Sequence, residues 1–449
     1  MRLSGTKLIV ALLAFAAAFT AAPALAATIK VNTTADEYGS GTACSLREAI
    51  SAAESDAAFG GCTAGSGPDT IQLQGGKTYI RELPGPADNT NATGDYDVAG
   101  EMTIAVKGKG QAKIDAGGMD RVLQILPGAK LTASHLTLTN GDVAPAQPGS
   151  DTSGGGISDA GILKLSKSTI VKNKTLGNNN CTCGGGLSVL NGTAKLDKVK
   201  ILKNTADNIG GGIAFTGGKL DVNRTTIDKN TSTSGGGGVY LGGDVGANTA
   251  AFRNSTISRN TDTDTGPNGG GGGVFVANFT NSTFTFTNST FAGNSANGYG
   301  GAIFVYQAGG INLSYSTVTG NTANADADAT GHGGGLAGGD ITAGNSIVDL
   351  NFDASLAAPL PDCALGASVT DGVISQDGGC VGSHNRMTTD PKLGALKANG
   401  GPTKTVAIAK QSPAVNHGTK PAPKRDQRGK KRDNKPDIGA YELVAKKHH

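Results

Sequence analysis

Several acidic side chains of this 449-residue chain recur at spacings that could bind a metal ion. Asp262 alternates with Asp264, and Asp326 alternates with Asp328, each pair in loop-like sequence. Alternating carboxylates supply the oxygen ligands that Ca²⁺ prefers. Both pairs are therefore calcium candidates, with a polar loop tip as the alternative. No other cofactor is expected, and no residue is assigned a catalytic role.

The remaining acids and histidines do not form a recognisable catalytic pattern. A polysaccharide lyase needs an acidic calcium cluster with an Arg or Lys base, and a glycoside hydrolase needs two facing carboxylates. Asp197, Asp221 and Asp228 lie at different offsets from a recurring asparagine, so they are not expected to converge. His135 and His332 have no partner at metal-ligand spacing, and both are predicted to be structural.

A basic residue precedes that recurring asparagine four times, at Lys172, Lys203, Lys229 and Arg259. If successive units stack, these side chains would form a column with one positive charge per rung of about 4.8 Å. Such a column suits a polyanion such as a uronan. The alternative is that lysine only keeps the stack soluble.

A second concentration of positive charge lies near the C-terminus. From residue 420 onward there are 10 Lys/Arg against 4 Asp/Glu. Candidate cations for an anionic glycan, lipopolysaccharide or cell surface are Lys424, Arg425, Lys430 and Lys431. The alternative is a solvated loop in which Arg428 and Arg432 pair internally with Asp426, Asp433 or Asp437. No aromatic residues are interleaved with these cations, so nucleic acid is not an expected partner.

The elements that must position these side chains come from a repeat. Between residues 154 and 351, a glycine cluster followed by a hydroxyl-apolar run returns seven times. Each run ends in an asparagine, at intervals of 31, 26, 30, 34, 27 and 30 residues. A repeat of this length indicates a stacked architecture. The asparagines are Asn173, Asn204, Asn230, Asn260, Asn294, Asn321 and Asn351.

The residue types favour strands over helices. The chain has 71 glycines, and each glycine inside a helix would cost about 1 kcal/mol relative to alanine. Short alternating runs such as 283–291 are typical of half-buried strands. The pattern predicts an all-β fold, a right-handed parallel β-helix, with the asparagine amides stacked from coil to coil and the asparagines in left-handed corners. A β-propeller would need longer blades with more aromatic residues.

Residues 1–26 have the features of a secretory signal: a basic start, a short apolar stretch and a small-residue cleavage site. The apolar stretch is too short for a good membrane span, and the mature chain is predicted to be exported without one. If the chain is exported, its six cysteines are expected to form disulfides. Proximity favours Cys44–Cys62 and Cys363–Cys380. Cys181 and Cys183 would form a tight bridge, stay reduced or pair between chains.

The segment 44–50 reads Cys-Ser-Leu-Arg-Glu-Ala-Ile. Ser45 and Glu48 form a capping box, which predicts a helix from Ser45 to about Ala58 with strands at 29–32 and 70–73 on either side. An amphipathic helix here would cap the first coil, where a solenoid otherwise exposes apolar surface and strand edges.

This segment resembles the CSLREA domain, an N-terminal region of exported bacterial β-helix proteins. The far end resembles the choice-of-anchor Q domain, at 390–391, 399–403, 412–414, 426–429, 432 and 437–442. The repeats in between are similar to those of polymorphic outer-membrane proteins and adhesins. The resemblance implies export and a β-helix, and it brings no catalytic residues. Nothing after Glu442 resembles an anchor.

The predicted organisation is a signal peptide (1–26), an N-terminal cap with the first coils (27–110), β-helix repeats (111–355) and a C-terminal region with a basic tail (356–449). The predicted function is an exported, non-catalytic and monomeric β-helix of the bacterial cell surface or medium, which binds an acidic polysaccharide or a surface glycan. The alternatives are a polysaccharide lyase or glycoside hydrolase, and a structural envelope or matrix component.

Overall fold

A computed structural model describes residues 26–85, 89–143, 153–177, 183–243, 248–266, 269–277, 282–307, 310–327, 331–354, 361–375 and 378–444. These residues form a parallel β-helix built from four long sheets, so the predicted all-β fold class is confirmed. In the interior coils, the chain passes through the four sheets in a fixed order. We call them, in that order, the glycine sheet, the long sheet, the middle sheet and the short sheet. Each strand pairs in parallel with the equivalent strand of the next coil, as Ile170 pairs with Leu138 and Ile201.

The strand bounds are as follows. The glycine sheet comprises Tyr96–Val98, Leu123–Ile125, Ile157–Asp159, Leu187–Val189, Ile213–Phe215, Val239–Gly242, Val274–Ala277, Ile303–Tyr306, Leu336–Ala337 and Cys363–Ala364. The long sheet comprises Thr28–Lys30, Asp69–Gln74, Glu101–Lys107, Lys130–Ser134, Ile162–Ser166, Thr193–Asp197, Lys219–Asn223, Thr249–Arg253, Thr283–Thr287, Ile311–Ser314, Ile341–Gly344 and Ser368–Thr370. The middle sheet comprises Thr78–Ile80, Ala112–Asp115, Leu136–Thr139, Thr169–Val171, Lys200–Leu202, Thr226–Asp228, Thr256–Ser258, Thr290–Ala292, Thr317–Thr319, Ile347–Val348, Val373–Ser375 and Arg386–Thr388. The short sheet comprises Asp142–Val143, Lys174–Thr175, Thr205–Ala206, Thr231–Ser232, Thr261–Asp262, Ser295–Ala296, Thr322–Ala323 and Phe352–Asp353.

The core is one column of apolar side chains inside the coil. Inward positions alternate with outward ones, so Leu163, Leu165 and Ile170 are all at most 2% exposed. The rings of Phe252 and Phe286 stack with centroids 4.6 Å apart. Burying a side chain of this size contributes roughly 1.5–3 kcal/mol, and stacking the coils is what buries it.

The asparagine ladder is confirmed from Asn173 to Asn351. Each Nδ2 donates to the Oδ1 of the next asparagine at 2.8–3.1 Å, and also to a backbone carbonyl, as Asn230 does to Ile201 at 3.0 Å. The ladder ends on the carboxylate of Asp362, which accepts from Asn351 at 2.9 Å. The prediction that the ladder asparagine itself is left-handed is wrong, because the residue before it has the positive φ (59° at Lys229).

The glycine clusters make room for the ladder and for the neighbouring coil. A Cβ on Gly211 would lie 2.2 Å from the carbonyl oxygen of Thr231. One on Gly212 would lie 2.5 Å from the carbonyl oxygen of Gly238. The second position is the less demanding, since Ala302 occupies it in a later coil.

A second ladder, of hydroxyl groups, was missed in the sequence. It follows the corner between the long and middle sheets, and each hydroxyl accepts a backbone N–H from the preceding coil at 3.0–3.4 Å. Hydroxyls of this kind satisfy buried backbone donors that the strands leave unpaired. Its members are Ser168, Thr225, Ser255, Ser289, Ser316 and Ser346.

The predicted N-terminal helix is confirmed at Leu46–Ser55, with both hydrogen bonds of the capping box present. It ends three residues earlier than expected, because Asp56 takes a left-handed conformation. The helix packs on strands Thr28–Lys30 and Asp69–Gln74, which correspond to the two predicted strands. Buried Arg47 explains another residue of the motif, since its guanidinium binds Asp36 at 2.8 Å and four backbone carbonyls.

Both predicted disulfides, Cys44–Cys62 and Cys363–Cys380, are confirmed. Cys183 is also disulfide-bonded, so the reduced alternative is wrong for it. Cys181 lies outside the described residues.

The C-terminal region folds back onto the middle sheet. It contains an antiparallel hairpin, Leu393–Lys397 with Thr405–Ile408. Thr256 Oγ1 donates to the carbonyl of Lys404 at 2.6 Å, and Thr290 Oγ1 donates to Gln427 at 2.6 Å. These contacts bury the outer face of the middle sheet at Thr256, Thr290 and Thr317 and leave the preceding coils uncovered.

Candidate functional site

The predicted cation column exists, and its backbone explains its composition. We call the turn after the middle sheet the Asn corner. In seven successive coils its first residue is exposed, with φ between 52° and 67°. A left-handed position favours glycine and otherwise takes a side chain that points away from the coil. These residues are Lys172, Lys203, Lys229, Arg259, Gly293, Gly320 and Leu350.

Three of the four cations in this column are not neutralised. Arg259 forms an ion pair with Asp228 of the preceding coil at 2.7 Å. Lys172, Lys203 and Lys229 form no ion pair with any residue that the structure describes. The uncompensated part of the column therefore spans three adjacent rungs of about 4.8 Å each.

A second cation column lies across the middle sheet. We call the turn between the long and middle sheets the Ser corner, after its hydroxyl ladder. Its left-handed position is basic in the same three coils, at Lys167, Lys198 and Arg224. Lys200 projects outward between the two corners. We define the basic face as these four residues together with Lys172, Lys203 and Lys229.

The C-terminal region stops at the edge of the basic face. Thr256 and Thr290, which continue the register of Lys200 and Thr226, are covered by the C-terminal region and are at most 1% exposed. Lys200 is exposed and Thr226 is half-buried. The basic coils thus belong to the uncovered part of the middle sheet.

The basic tail divides into paired and exposed cations. Arg428 pairs with Asp426 at 2.7 Å and stacks on Tyr441 with its guanidinium 3.5 Å from the ring centre. Arg432 is buried and pairs with Glu442 at 3.0 Å. Internal pairing is therefore confirmed for both, although Arg432 uses Glu442 rather than an aspartate. The predicted binding cations are all exposed around one turn: Lys424, Arg425, Lys430 and Lys431.

This turn and the Ser corner enclose an open groove of about 500 Å³. Lys198, Arg224 and Asn254 line it from the β-helix, and Arg425 and Gly429 line it from the turn. Two cation sets far apart in sequence therefore meet at one edge of the basic face.

The three strand acids do not form a cluster of free carboxylates. Instead, each is bound by an arginine of the next coil: Asp197 by Arg224 at 2.7 Å, Asp221 by Arg253, and Asp228 by Arg259. Among the residues described, no three His, Cys, Asp or Glu side chains are grouped to hold a metal ion.

Of the two calcium candidate pairs, the first is not arranged as the sequence suggested. Asp262 ends a strand and is fully buried, accepting from Ser232 Oγ at 3.0 Å and Gly235 N–H at 2.8 Å. Burial raises its pKa to about 7. Asp264 accepts from Gly266 N–H at 2.8 Å. Asp326 is exposed, and Asp328 lies outside the described residues.

His332 has a partner that its neighbours in the sequence do not reveal. Its Nδ1 lies 3.0 Å from Oδ2 of buried Asp353, and its side chain is 27% exposed. The ring of Tyr299 stands edge-on to the imidazole, with centroids 6.1 Å apart. A carboxylate at Nδ1 accepts the ring N–H, so this pair orients the imidazole. A sequence separation of 21 positions hid this pair, which only the coil geometry brings together.

No family model and no curated protein matches the chain. Among solved structures, the chain is similar to one described as the crystal structure of pectate lyase Pel9A, at 14% identity and a TM-score of 0.48. The alignment covers 84% of this chain and 89% of that one. Within the described residues, no helix is long and apolar enough to cross a membrane.

Proposed function

We propose that this protein is an exported, non-catalytic β-helix that binds acidic polysaccharides on its basic face. The supporting observation is the position of the unpaired lysines, which occupy both corners of the uncovered coils of the middle sheet. Lys172, Lys203 and Lys229 follow one edge along the stack, and Lys167 and Lys198 follow the other.

The geometry suits a polymer better than a single anion. One exposed ion pair contributes only about 0–1 kcal/mol, so no single lysine would hold a ligand. Rungs about 4.8 Å apart are closer together than the ~8 Å screening length at physiological salt. A chain with a negative charge on each sugar therefore meets several cations at once, whereas a neutral polysaccharide gains nothing.

Export, the CSLREA and choice-of-anchor Q resemblance, and a monomeric state belong to this proposal. Disulfides persist in oxidising compartments outside the cytosol. Cys44–Cys62 staples the N-terminal cap and Cys363–Cys380 joins two segments near the last coil. Both bonds support an extracellular location.

The test compares binding of polygalacturonate and dextran to the purified protein and to two double variants. Lys203→Gly with Lys229→Gly removes two charges while keeping the corner conformation, since glycine occupies the same position in two later coils. Lys164→Thr with Lys195→Thr is the matched control. It removes two exposed charges from adjacent rungs of the long sheet, in a column where other coils carry threonine.

We expect polygalacturonate binding to weaken about tenfold in the first variant and to stay within about twofold in the control. Dextran should not bind any of the proteins. Equal losses in the two variants, or none in the first, would show that the basic face is not the binding site. Release of unsaturated uronates or new reducing ends would overturn the non-catalytic assignment.

A further inference from the structure

The groove between the Ser corner and the C-terminal turn holds cations whose donors are only partly used. Arg224 commits Nε and Nη2 to Asp197 at 2.8 and 2.7 Å, which leaves Nη1. Arg425 commits Nη1 to the carbonyl of Gly429 at 2.8 Å, which leaves Nη2 and Nε. Lys198 forms no ion pair within the described part of the chain.

Among the described residues that line the groove there is one acid, and its oxygens already accept a full set of hydrogen bonds. Asp426 accepts five hydrogen bonds: from Nε, Nη2 and the backbone N–H of Arg428, and from the backbone N–H groups of Lys430 and Glu442. The Asp426 carboxylate is neutralised by Arg428 within the turn. The groove therefore keeps an excess of positive charge. An oxyanion entering it would be attracted by Lys198 and Arg425, and it could also accept a hydrogen bond from Nη1 of the ion-paired Arg224.

The turn is held in place by contacts to the β-helix. Gln427 Nε2 donates to the carbonyl of Ser255 at 3.1 Å and to Thr256 Oγ1 at 2.9 Å. The carbonyl of Arg425 accepts from Asn288 Nδ2 at 2.7 Å. These bonds fix the rim before any ligand arrives, and a preorganised site avoids the entropic cost of ordering a loop.

We propose that this groove is a subsite for a single oxyanion of an acidic saccharide, either a sulfate ester or a uronate carboxylate. The inference rests on the proposed function and deepens it, because it makes the C-terminal region part of the receptor. Arginine donors on a planar fork suit both oxyanions, which present paired oxygens. The basic face would then bind the length of the polymer, while the groove recognises one sugar unit.

The test uses calorimetric titration of the full chain with two short probes, a sulfated heparin-derived disaccharide and digalacturonate. Arg425→Gln removes a groove cation and keeps a donor for the carbonyl of Gly429. Lys198→Asn removes another and places at the corner the residue that later coils carry there, as at Asn254. Lys410→Gln, an exposed lysine of the C-terminal region that does not line the groove, is the matched control.

We expect each groove variant to weaken disaccharide binding about tenfold and the control to change it by less than about twofold. The probe that binds more tightly identifies the oxyanion. Unchanged affinity in both groove variants would refute the subsite. So would a chain that binds polygalacturonate but neither disaccharide, and that result would leave the proposed function standing. A failure of the proposed function would show instead as unchanged polygalacturonate binding in the Lys203 and Lys229 double variant, whose substitutions lie outside the groove.

Discussion

Replacing one rung of the asparagine ladder should destabilise the whole stack. Asn230 is fully buried and makes four side-chain hydrogen bonds. Its Nδ2 donates to Ile201 O and to Asn260 Oδ1, at 3.0 and 2.9 Å. Its Oδ1 accepts the backbone N–H and the Nδ2 of Asn204, at 2.9 and 3.0 Å. Asn230→Ala therefore leaves two buried donor hydrogens of Asn204 without an acceptor, the backbone N–H and one of the two on Nδ2, while the other Nδ2 hydrogen keeps its bond to Ile170 O.

The expected loss follows from those two donors. Each buried polar group left unpaired costs about 1–3 kcal/mol, so the variant should lose about 2–6 kcal/mol of unfolding free energy. Guanidinium denaturation followed by circular dichroism measures this loss. The control is Thr231→Ala, the neighbouring outward position, which should cost less than about 1 kcal/mol. A similar small loss for Asn230→Ala would mean that water or local repacking satisfies Asn204, and that the ladder does not hold the coils together.

Three further predictions concern the scaffold. Gly211→Ala should destabilise more than Gly212→Ala in thermal melts, because its new Cβ would lie closer to a backbone carbonyl oxygen, at 2.2 Å against 2.5 Å, and another coil already carries alanine at the position of Gly212. Substituting Cys44 and Cys62 by serine should cost about 2–4 kcal/mol, and an unchanged melt would contradict a stapling role for that disulfide. The pKa of Asp262, raised by burial to about 7, is well above its unfolded value of about 3.9. As pH rises between these values the unfolded chain ionises first and stability falls, so Asp262→Asn should flatten the change in unfolding midpoint between about pH 4 and pH 8.

The sequence was sufficient to predict the features that the repeat itself determines. An asparagine every 26 to 34 residues predicted the parallel coils and the ladder, because identical side chains must stack when coils repeat. The same logic would have found the hydroxyl ladder, whose serine or threonine precedes each buried middle-sheet residue by two positions. It was missed because hydroxyl residues are common throughout the chain.

Features that depend on contacts between residues far apart in the chain could not be predicted from the sequence. Gln427 meets Thr256 across 171 residues, so no local pattern could show that the tail covers half of the middle sheet. The left-handed corner was assigned to Asn230 rather than Lys229, because asparagine is the better left-handed residue when considered alone. In the coil, the ladder requires the asparagine side chain to point inward, and the strained conformation falls on its neighbour.

The ladder also makes the molecule modular in length. Each interior coil presents an amide acceptor to the coil before it and an amide donor to the coil after it. A duplicated unit, such as the 26 residues from Asn204 to Lys229, would therefore bring its own amide, glycine cluster and corner lysine. Inserting such units would extend the cation column by one rung each and leave both ends intact. Avidity for long polyanions would rise with every added coil, while affinity for a disaccharide would stay constant.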